Sequence, residues 1–253
     1  HSLRRRQRQM CIRDRATTPA LYARTLRNPS REDFQESLKL FMFFSGFIYV
    51  TFIALSEPIA SLYNPKYVEA QFLIPIIATY ALIVGLIGIY STALLGASRE
   101  DVEENSSRKK IVKSYLFKLP FIGFLGAILT YIVLSLALIF IRNNGFLEAL
   151  VASFSLLVGV TSTLPYLVHV SRRSSNCKFP LREFLNILIS SVLAGLWYFV
   201  SKTYTVVVTE FWKVAPTLLE HIGLAVLIYL ASLALISKWF RSLVKAVLHT
   251  VFR

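Results

Sequence analysis

The fold is decided by the stretch Leu55-Ser-Glu-Pro-Ile-Ala-Ser-Leu-Tyr-Asn-Pro-Lys-Tyr-Val-Glu-Ala-Gln-Phe-Leu-Ile-Pro75. It lies between two long apolar runs, and its own middle is short and polar. Pro58 and Pro65 interrupt helical geometry within it. Tyr63 and Tyr67 carry amphipathic rings, which favour the depth of the lipid headgroups. The stretch therefore predicts a hairpin between two membrane-spanning helices.

Composition agrees with a membrane protein. Hydrophobic residues make up 55% of the 253 residues, charged residues make up 17%, and the mean hydropathy is +0.57. A soluble domain of this length usually carries more charge. Several uncharged stretches reach about 18 residues, which is long enough to cross the hydrocarbon core of a bilayer. The sequence therefore predicts an all-α, polytopic membrane helix bundle.

The apolar runs also predict the order of segments. A cytoplasmic segment at 16–39 precedes the spans, and an amphipathic cytoplasmic tail at 237–253 follows them. One face of the tail is apolar and the other is basic, which favours a helix along the anionic inner leaflet. A plain extension of the last span into water is the alternative. The six predicted transmembrane helices are 40–62, 72–95, 116–141, 146–170, 184–208 and 214–236.

Residues 1–15 are interpreted as a leader that is not native to the protein. They include six arginines and no apolar core, which excludes a signal peptide. Their composition resembles translated sequencing-adapter read-through, and a solvated basic arm is the alternative. No methionine precedes residue 10. We therefore expect the chain to be truncated at its N-terminus.

The basic residues are unevenly distributed between alternate loops. Outside the leader, 18 Lys and Arg lie in or beside one set of loops and termini, and 4 lie in the other set. The positive-inside rule then predicts a multi-pass protein of the cell membrane with both ends in the cytoplasm. This distribution explains the net charge of +14 without nucleic acid as a partner, since no basic–aromatic groove accompanies it.

The sequence contains no pattern for catalysis, a cofactor or a metal ion. It has no Gly-rich phosphate loop, nucleophile elbow or cluster of ligands at metal-binding spacing, and Cys11 and Cys177 are not paired by spacing. We predict that the protein is not an enzyme. Lys118 lies about one turn into the third span, and it is the candidate substrate-binding residue. Its long stem can also reach the interface without any such role; other ionisable groups, including Glu57, lie near span ends.

Small residues recur in the predicted spans, where they permit close approach of helices. Pro75, Pro120 and Pro165 can kink helices that must bend. Ordinary packing without motion is the alternative for each. The small residues are Gly85, Gly88, Ser91, Gly96, Gly123, Gly126, Ala127, Gly159 and Gly195.

Four motifs between residue 16 and about residue 173 together resemble the polysaccharide flippases. These are the O-antigen and oligosaccharide-lipid transporters of the multidrug/oligosaccharidyl-lipid/polysaccharide exporter superfamily. The hairpin at 55–70 is similar to the family pattern EPI…L-(F/Y)-x-P-x-Y-x-x-A. The acidic insertion at 100–104 departs from the family, as do the apolar residues that replace its usual asparagines in the third span. The other motifs are Ser91-Thr-Ala-Leu-Leu-Gly-Ala97, Phe140-Ile-Arg-Asn-Asn-Gly145 with Ala149 and Ala152, and Thr18-Pro-Ala-Leu21 with Arg31-Glu-Asp-Phe34.

The resemblance implies the C-terminal part of a two-lobe fold of 12 to 14 helices, here roughly the ninth to fourteenth spans. It implies alternating access by two lobes around a cationic cavity, with a lipid-diphosphate-linked glycan as substrate. Implied partners are that glycan and a missing N-terminal half of the same protein, and Lys118 would contact the headgroup. The amphipathic tail adds anionic membrane lipids as predicted partners. The alternatives are a multidrug or cation antiporter, a non-transporting membrane assembly subunit, and a membrane-embedded glycosyltransferase or ligase.

Overall fold

The computed structural model describes residues 31–63, 65–98, 115–139, 145–175, 179–206, 208 and 211–251. The predicted leader at 1–15, residues 16–30 of the predicted cytoplasmic segment and the charged connector at 99–113 lie outside these ranges. Eight α-helices and two 3₁₀ helices, with no strand, lie within them. The α-helices are α1 Arg31–Ala54, α2 Ser56–Tyr63, α3 Leu73–Ser98, α4 Tyr115–Ile139, α5 Gly145–Ser175, α6 Leu181–Val200, α7 Phe211–Ile236 and α8 Lys238–Val251; the 3₁₀ helices are Pro65–Phe72 and Thr203–Thr205.

Six segments of the described chain are long and apolar enough to cross a membrane. Their length and composition make the chain a multi-pass membrane protein. The predicted all-α fold class with six transmembrane helices is confirmed. The segments are Glu32–Ala54, Val68–Leu94, Lys118–Leu136, Gly145–Arg172, Leu181–Val200 and Trp212–Ile236.

The first span is interrupted just before Pro58. A proline ring clashes with the carbonyl four residues earlier, which here belongs to Ala54, and the proline has no N–H to donate to it. Accordingly α1 ends at Ala54, and Leu55 forms a turn. Helical hydrogen bonds continue on both sides, since Leu55 N–H donates to Thr51 O at 2.9 Å and Ile59 N–H donates to Leu55 O at 2.9 Å. The interruption therefore lies before the proline, whereas it was predicted at the proline itself.

The predicted fifth span, 184–208, is too long at its C-terminal end. The helix that forms it, α6, begins at Leu181 and ends at Val200, eight residues before the predicted end. Lys202 adopts a left-handed conformation with φ of 54°, which ends an α-helix. A charged side chain at this point also favours leaving the hydrocarbon. The 3₁₀ helix Thr203–Thr205 follows.

Two other helices extend beyond their predicted spans by five residues or more. α1 already begins at Arg31, so residues 31–39 of the predicted cytoplasmic segment are helical, with Glu32 and Asp33 in the first turn. Acidic residues there interact favourably with the helix dipole. α5 continues to Ser175, five residues past the predicted end of the fourth span. Both extensions carry polar residues. A helix can continue with polar residues beyond the hydrocarbon, since it no longer needs apolar surroundings there.

The chain divides into two compact units. Unit 1 consists of residues 1–41, 83–144 and 154–179, and unit 2 consists of 42–82, 145–153 and 180–253. In the described part of unit 1, the rings of Phe34 and Tyr90 meet edge to face with centroids 5.1 Å apart. Both side chains are buried. This contact packs the start of α1 against α3.

α4, which belongs to unit 1, exposes a large apolar surface. Among its described large apolar side chains, Leu119 is the one that is buried. Val133 is 65% exposed, and Phe121 and Phe124 are exposed to a similar degree. A helix that is apolar all round requires apolar surroundings. The hydrocarbon of a bilayer provides them.

Unit 2 is built around an aromatic cluster, defined here as Phe43, Phe47, Tyr229, Trp239 and Phe240. Phe43 stacks on Tyr229, with ring centroids 5.6 Å apart, and on Phe240, with centroids 5.4 Å apart. The hydroxyl of Tyr229 donates a hydrogen bond to the carbonyl oxygen of Phe43 at 2.6 Å. Such a bond in an apolar interior satisfies the hydroxyl and fixes the ring. The cluster thereby holds α1, α7 and α8 together.

Ser237 forms the junction between α7 and α8. Its Oγ accepts a hydrogen bond from Phe240 N–H at 3.1 Å, as an N-cap residue does, and donates one to Glu183 Oε2 at 2.7 Å. Arg241 Nη1 donates to Leu235 O at 3.2 Å, near the end of α7. Carbonyls at helix ends otherwise lack partners. Ser237 therefore fixes the direction of α8 together with Glu183 of α6 and Arg241 of α8.

Ser237→Ala is expected to lower the free energy of unfolding by about 1–2 kcal/mol, the usual cost of removing an N-cap hydroxyl. The measurement is unfolding in detergent micelles, followed by tryptophan fluorescence. Ser242→Ala is the matched control, because Ser242 is exposed and its hydroxyl donates to the Trp239 carbonyl of its own helix at 2.7 Å, with no other partner in the described part of the chain. Equal losses for the two variants would contradict the role of Ser237.

Candidate functional site

A groove of about 380 Å³ lies in unit 1 between α3, α4 and α5. Apart from Thr163, the side chains that line it are apolar. The hydroxyl of Thr163 donates to Val160 O at 2.7 Å, so its hydrogen is already used. The groove therefore suits an apolar chain better than a charged group. Its lining residues are Ile87, Leu119, Pro120, Gly123, Phe124, Ala127, Leu156, Val160 and Thr163.

Small residues bring α4 and α5 together at the wall of this groove. A Cβ placed on Gly159 would lie 2.6 Å from the carbonyl oxygen of Gly123 and 2.7 Å from Ala127 Cβ. A Cβ on Gly126 would lie 2.9 Å from Ser162 Oγ. Backbones can approach this closely only where side chains are absent. We call Gly123, Gly126, Ala127 and Gly159 the small-residue seam.

Lys118, the candidate substrate-binding residue, lies in the first turns of α4 and is exposed. The next two residues, Leu119 and Pro120, line the groove. Pro120 removes one helical hydrogen bond from this part of α4. Lys118 therefore comes directly before two lining residues along the chain, but it does not itself line the groove.

A second pocket, of about 220 Å³, lies in unit 2 at the hairpin. We call it the hairpin pocket. The sequence placed Glu57 near the end of a span and singled out Gly195 as a small residue of a span, but it did not indicate that the lining residues meet in a pocket. Rings near the end of a span were the available signal, since Tyr is common at membrane interfaces. The lining residues are Ile53, Ala54, Ser56, Glu57, Gln71, Gly195, Tyr198, Phe199 and Tyr204.

The walls of the hairpin pocket are held by contacts within unit 2. The hydroxyl of Tyr198 lies 3.4 Å from Thr51 Oγ1. Phe199 and Tyr204 stack with ring centroids 5.1 Å apart and planes 6° apart. The loop after α6 is also tied to α2, because Val208 N–H donates to the buried Ser61 Oγ at 2.9 Å. The pocket is therefore formed by fixed side chains.

The rings of Trp197 in α6 and His221 in α7 lie next to each other. Their ring centroids are 6.0 Å apart. Trp197 Nε1 and His221 Nδ1 are buried and have no hydrogen-bond partner in the described part of the chain. Neither residue lines the groove or the hairpin pocket. No group of three or more His, Cys, Asp or Glu that could hold a metal ion occurs among the described residues.

Together these features define an all-α, multi-pass membrane protein with an apolar groove in one unit and, in the other, a pocket that includes the carboxylate of Glu57. Comparisons with protein-family models, with curated proteins and with solved structures found no match.

Proposed function

We propose that this chain is part of a transporter that moves a lipid-linked oligosaccharide or polysaccharide unit across the cytoplasmic membrane. The groove of unit 1 carries the proposal, because its apolar walls suit the hydrocarbon chain of a lipid carrier. Lys118 lies in the first turns of α4, a helix that lines the groove. It supplies a positive charge for the diphosphate that joins the lipid to the glycan. The resemblance of the hairpin motif to the flippase pattern points in the same direction.

Alternating access supplies the mechanism of this proposal. Pro120 and Pro165 lie inside α4 and α5, the helices that form most of the groove wall. Helices interrupted by proline bend more readily, and such helices line the substrate paths of many transporters. Bending at these two prolines would change the width of the groove. The proposal also includes further spans of the same protein, since the flippase pattern has two lobes; the upstream gene sequence tests that part.

The proposal includes a membrane-surface role for α8. Its first turns pack into the aromatic cluster through Phe240, while Val244, Val247 and Leu248 further along are exposed. Lys238, Arg241 and Lys245 are exposed as well. Such a helix binds the surface of an anionic leaflet through its apolar and basic faces. With the basic loops in the cytoplasm, that surface is the inner leaflet of the cell membrane.

Lys118→Ala is expected to slow transport about tenfold, because a hydrogen bond to a charged group contributes roughly 1.5–3 kcal/mol. The assay uses the full-length gene product in proteoliposomes that contain a fluorescent lipid-linked oligosaccharide. A reductant that cannot cross the membrane quenches the outer label, so the rate of inward and outward exchange is measured directly. Lys118→Arg should retain most of the rate, since it keeps the charge.

Lys213→Ala is the control, because it removes an exposed lysine from α7, outside the groove. Unchanged transport in Lys118→Ala would remove Lys118 from the proposal. Absence of exchange for any lipid-linked glycan in the wild-type protein would favour the alternatives. A cation antiporter would instead exchange a cationic drug against protons or sodium, and an assembly subunit would transport neither.

A further inference from the structure

The hairpin pocket lies where three membrane-spanning segments end. Ile53 and Ala54 end the first span, Gln71 lies near the start of the second, and Tyr198 and Phe199 lie at the end of the fifth. A pocket that joins the ends of spans lies near the depth of lipid headgroups. Its ligand can therefore come from the membrane surface.

A carboxylate of this pocket has no counter-ion among the described side chains. Glu57 is half-buried and lines the pocket. None of the side chains that the structure describes, which leave out those of 63–67, forms a hydrogen bond or an ion pair with it. Charged groups removed from water are normally paired, because an unpaired charge is costly to desolvate. The pocket therefore favours a cation beside Glu57.

The other polar groups of the pocket indicate what kind of cation fits. Gln71 offers an amide oxygen, and Ser56 and Tyr204 offer hydroxyl oxygens that can accept hydrogen bonds. An ammonium group with three N–H donors can use several such acceptors at once. A quaternary ammonium has no N–H and would leave them unused. Tyr198 and Phe199 also line the pocket, and aromatic rings attract organic cations.

We infer that the hairpin pocket binds a primary ammonium group, and that the source of this group is the headgroup of an ethanolamine phospholipid. The carboxylate of Glu57 forms an ion pair with the ammonium group, and the amide oxygen of Gln71 accepts a hydrogen bond from a further N–H. The phosphate and the acyl chains stay outside the pocket, at the membrane surface. A volume of about 220 Å³ accommodates the small ammonium end of such a headgroup. This binding site is independent of the groove in unit 1 and of the proposed transport.

The test measures which lipids the full chain retains. The protein is incorporated into nanodiscs that contain equal amounts of phosphatidylethanolamine, phosphatidylcholine and phosphatidylglycerol, and the bound lipids are counted by native mass spectrometry. The wild-type protein should retain phosphatidylethanolamine in preference to the other two. Glu57→Gln should lower that retention about tenfold, since it removes a charge-assisted hydrogen bond without changing the size of the side chain.

Glu69→Gln is the matched control. Glu69 is an exposed carboxylate of the same hairpin, and it does not line the pocket. It should retain phosphatidylethanolamine as the wild type does. Unfolding temperatures are measured alongside, because Glu57 also lies in the first turn of α2, where a negative charge stabilises the helix. If Glu57→Gln does not fold, Gln71→Leu takes its place, with an expected threefold to tenfold loss of retention, about the effect of one hydrogen bond.

Free ethanolamine distinguishes the two sources of the ammonium group. If millimolar ethanolamine leaves the retained phospholipid in place, the lipid headgroup is the ligand. If it displaces the phospholipid from the wild type, the ammonium site is supported and a soluble amine is its ligand. Equal retention of the three lipids, or retention that is the same in Glu57→Gln and the wild type, would overturn the inference. Neither result depends on whether a glycan lipid is transported.

Discussion

Replacing Gly159 with leucine is expected to lower the free energy of unfolding by about 3 kcal/mol, the upper end of the usual range for overpacking. Even a Cβ at this position would lie 2.6 Å from the carbonyl oxygen of Gly123 and 2.9 Å from the backbone nitrogen of Ala127. These are backbone atoms, so they move only if α4 and α5 separate. The side chain would force the small-residue seam open, and the groove beside it would lose its wall.

The measurement is unfolding of the purified protein by titration with a denaturing detergent. Gly88→Leu is the matched control, since Gly88 also lies within a membrane-spanning helix of unit 1 and its added Cβ would meet no described atom within 4 Å outside its own stretch of helix backbone. We expect a change below about 0.5 kcal/mol there. Similar losses in both variants would mean that the close approach of α4 and α5 is not the reason why leucine at position 159 destabilises the protein.

Tyr229→Ala should have a comparable or larger effect, roughly 3–5 kcal/mol, as expected when a large buried aromatic side chain is removed. Tyr229 stacks on Phe43, and its ring lies 5.2 Å from that of Phe47. Its hydroxyl bonds the Phe43 carbonyl at 2.6 Å. The variant loses all three contacts and leaves a cavity between α1 and α7. Unfolding by the same denaturing detergent measures the loss.

Two further variants divide this effect into its parts. Tyr229→Phe removes the hydroxyl alone and should cost about 0.6–1.7 kcal/mol, as hydrogen bonds in membrane proteins do. Tyr131→Ala removes a tyrosine that is 50% exposed on α4, so it should change stability little. If Tyr229→Phe costs as much as Tyr229→Ala, the hydrogen bond rather than ring packing holds the cluster together. If Tyr229→Ala costs no more than Tyr131→Ala, the aromatic cluster is not the core of unit 2.

The helical class and the six spans could be predicted from the sequence, because they depend on local properties. A run of apolar residues must be about 20 residues long to cross a bilayer as a helix, whatever lies beside it. The end of α6 could not be read in the same way. Ser201 to Thr205 are polar, but three valines at 206–208 follow and prolong the predicted span, whereas the left-handed residue Lys202 turns the chain. Backbone conformation at one residue is not encoded by hydropathy.

Which helices pack against each other also could not be predicted from the sequence. Gly123 and Gly159 were both predicted to permit close approach, but their spacing along the chain does not say that they meet each other. Lys118 was singled out because a charge within an apolar run is unusual. The hairpin pocket was not predicted, since Glu57, Gln71 and Tyr204 come from three separate segments. Only folding brings such residues to one place.

The exposed apolar surface of α4 has a consequence for how a cell must make this protein. Nearly every described large apolar side chain from Phe121 to Ile139 is exposed in the folded unit, so folding alone does not hide them from water. Each would cost about 25 cal/mol per Å² left in contact with water. We therefore expect this helix to need lipid around it from the moment of its synthesis, because an exposed apolar surface of this size in water favours aggregation.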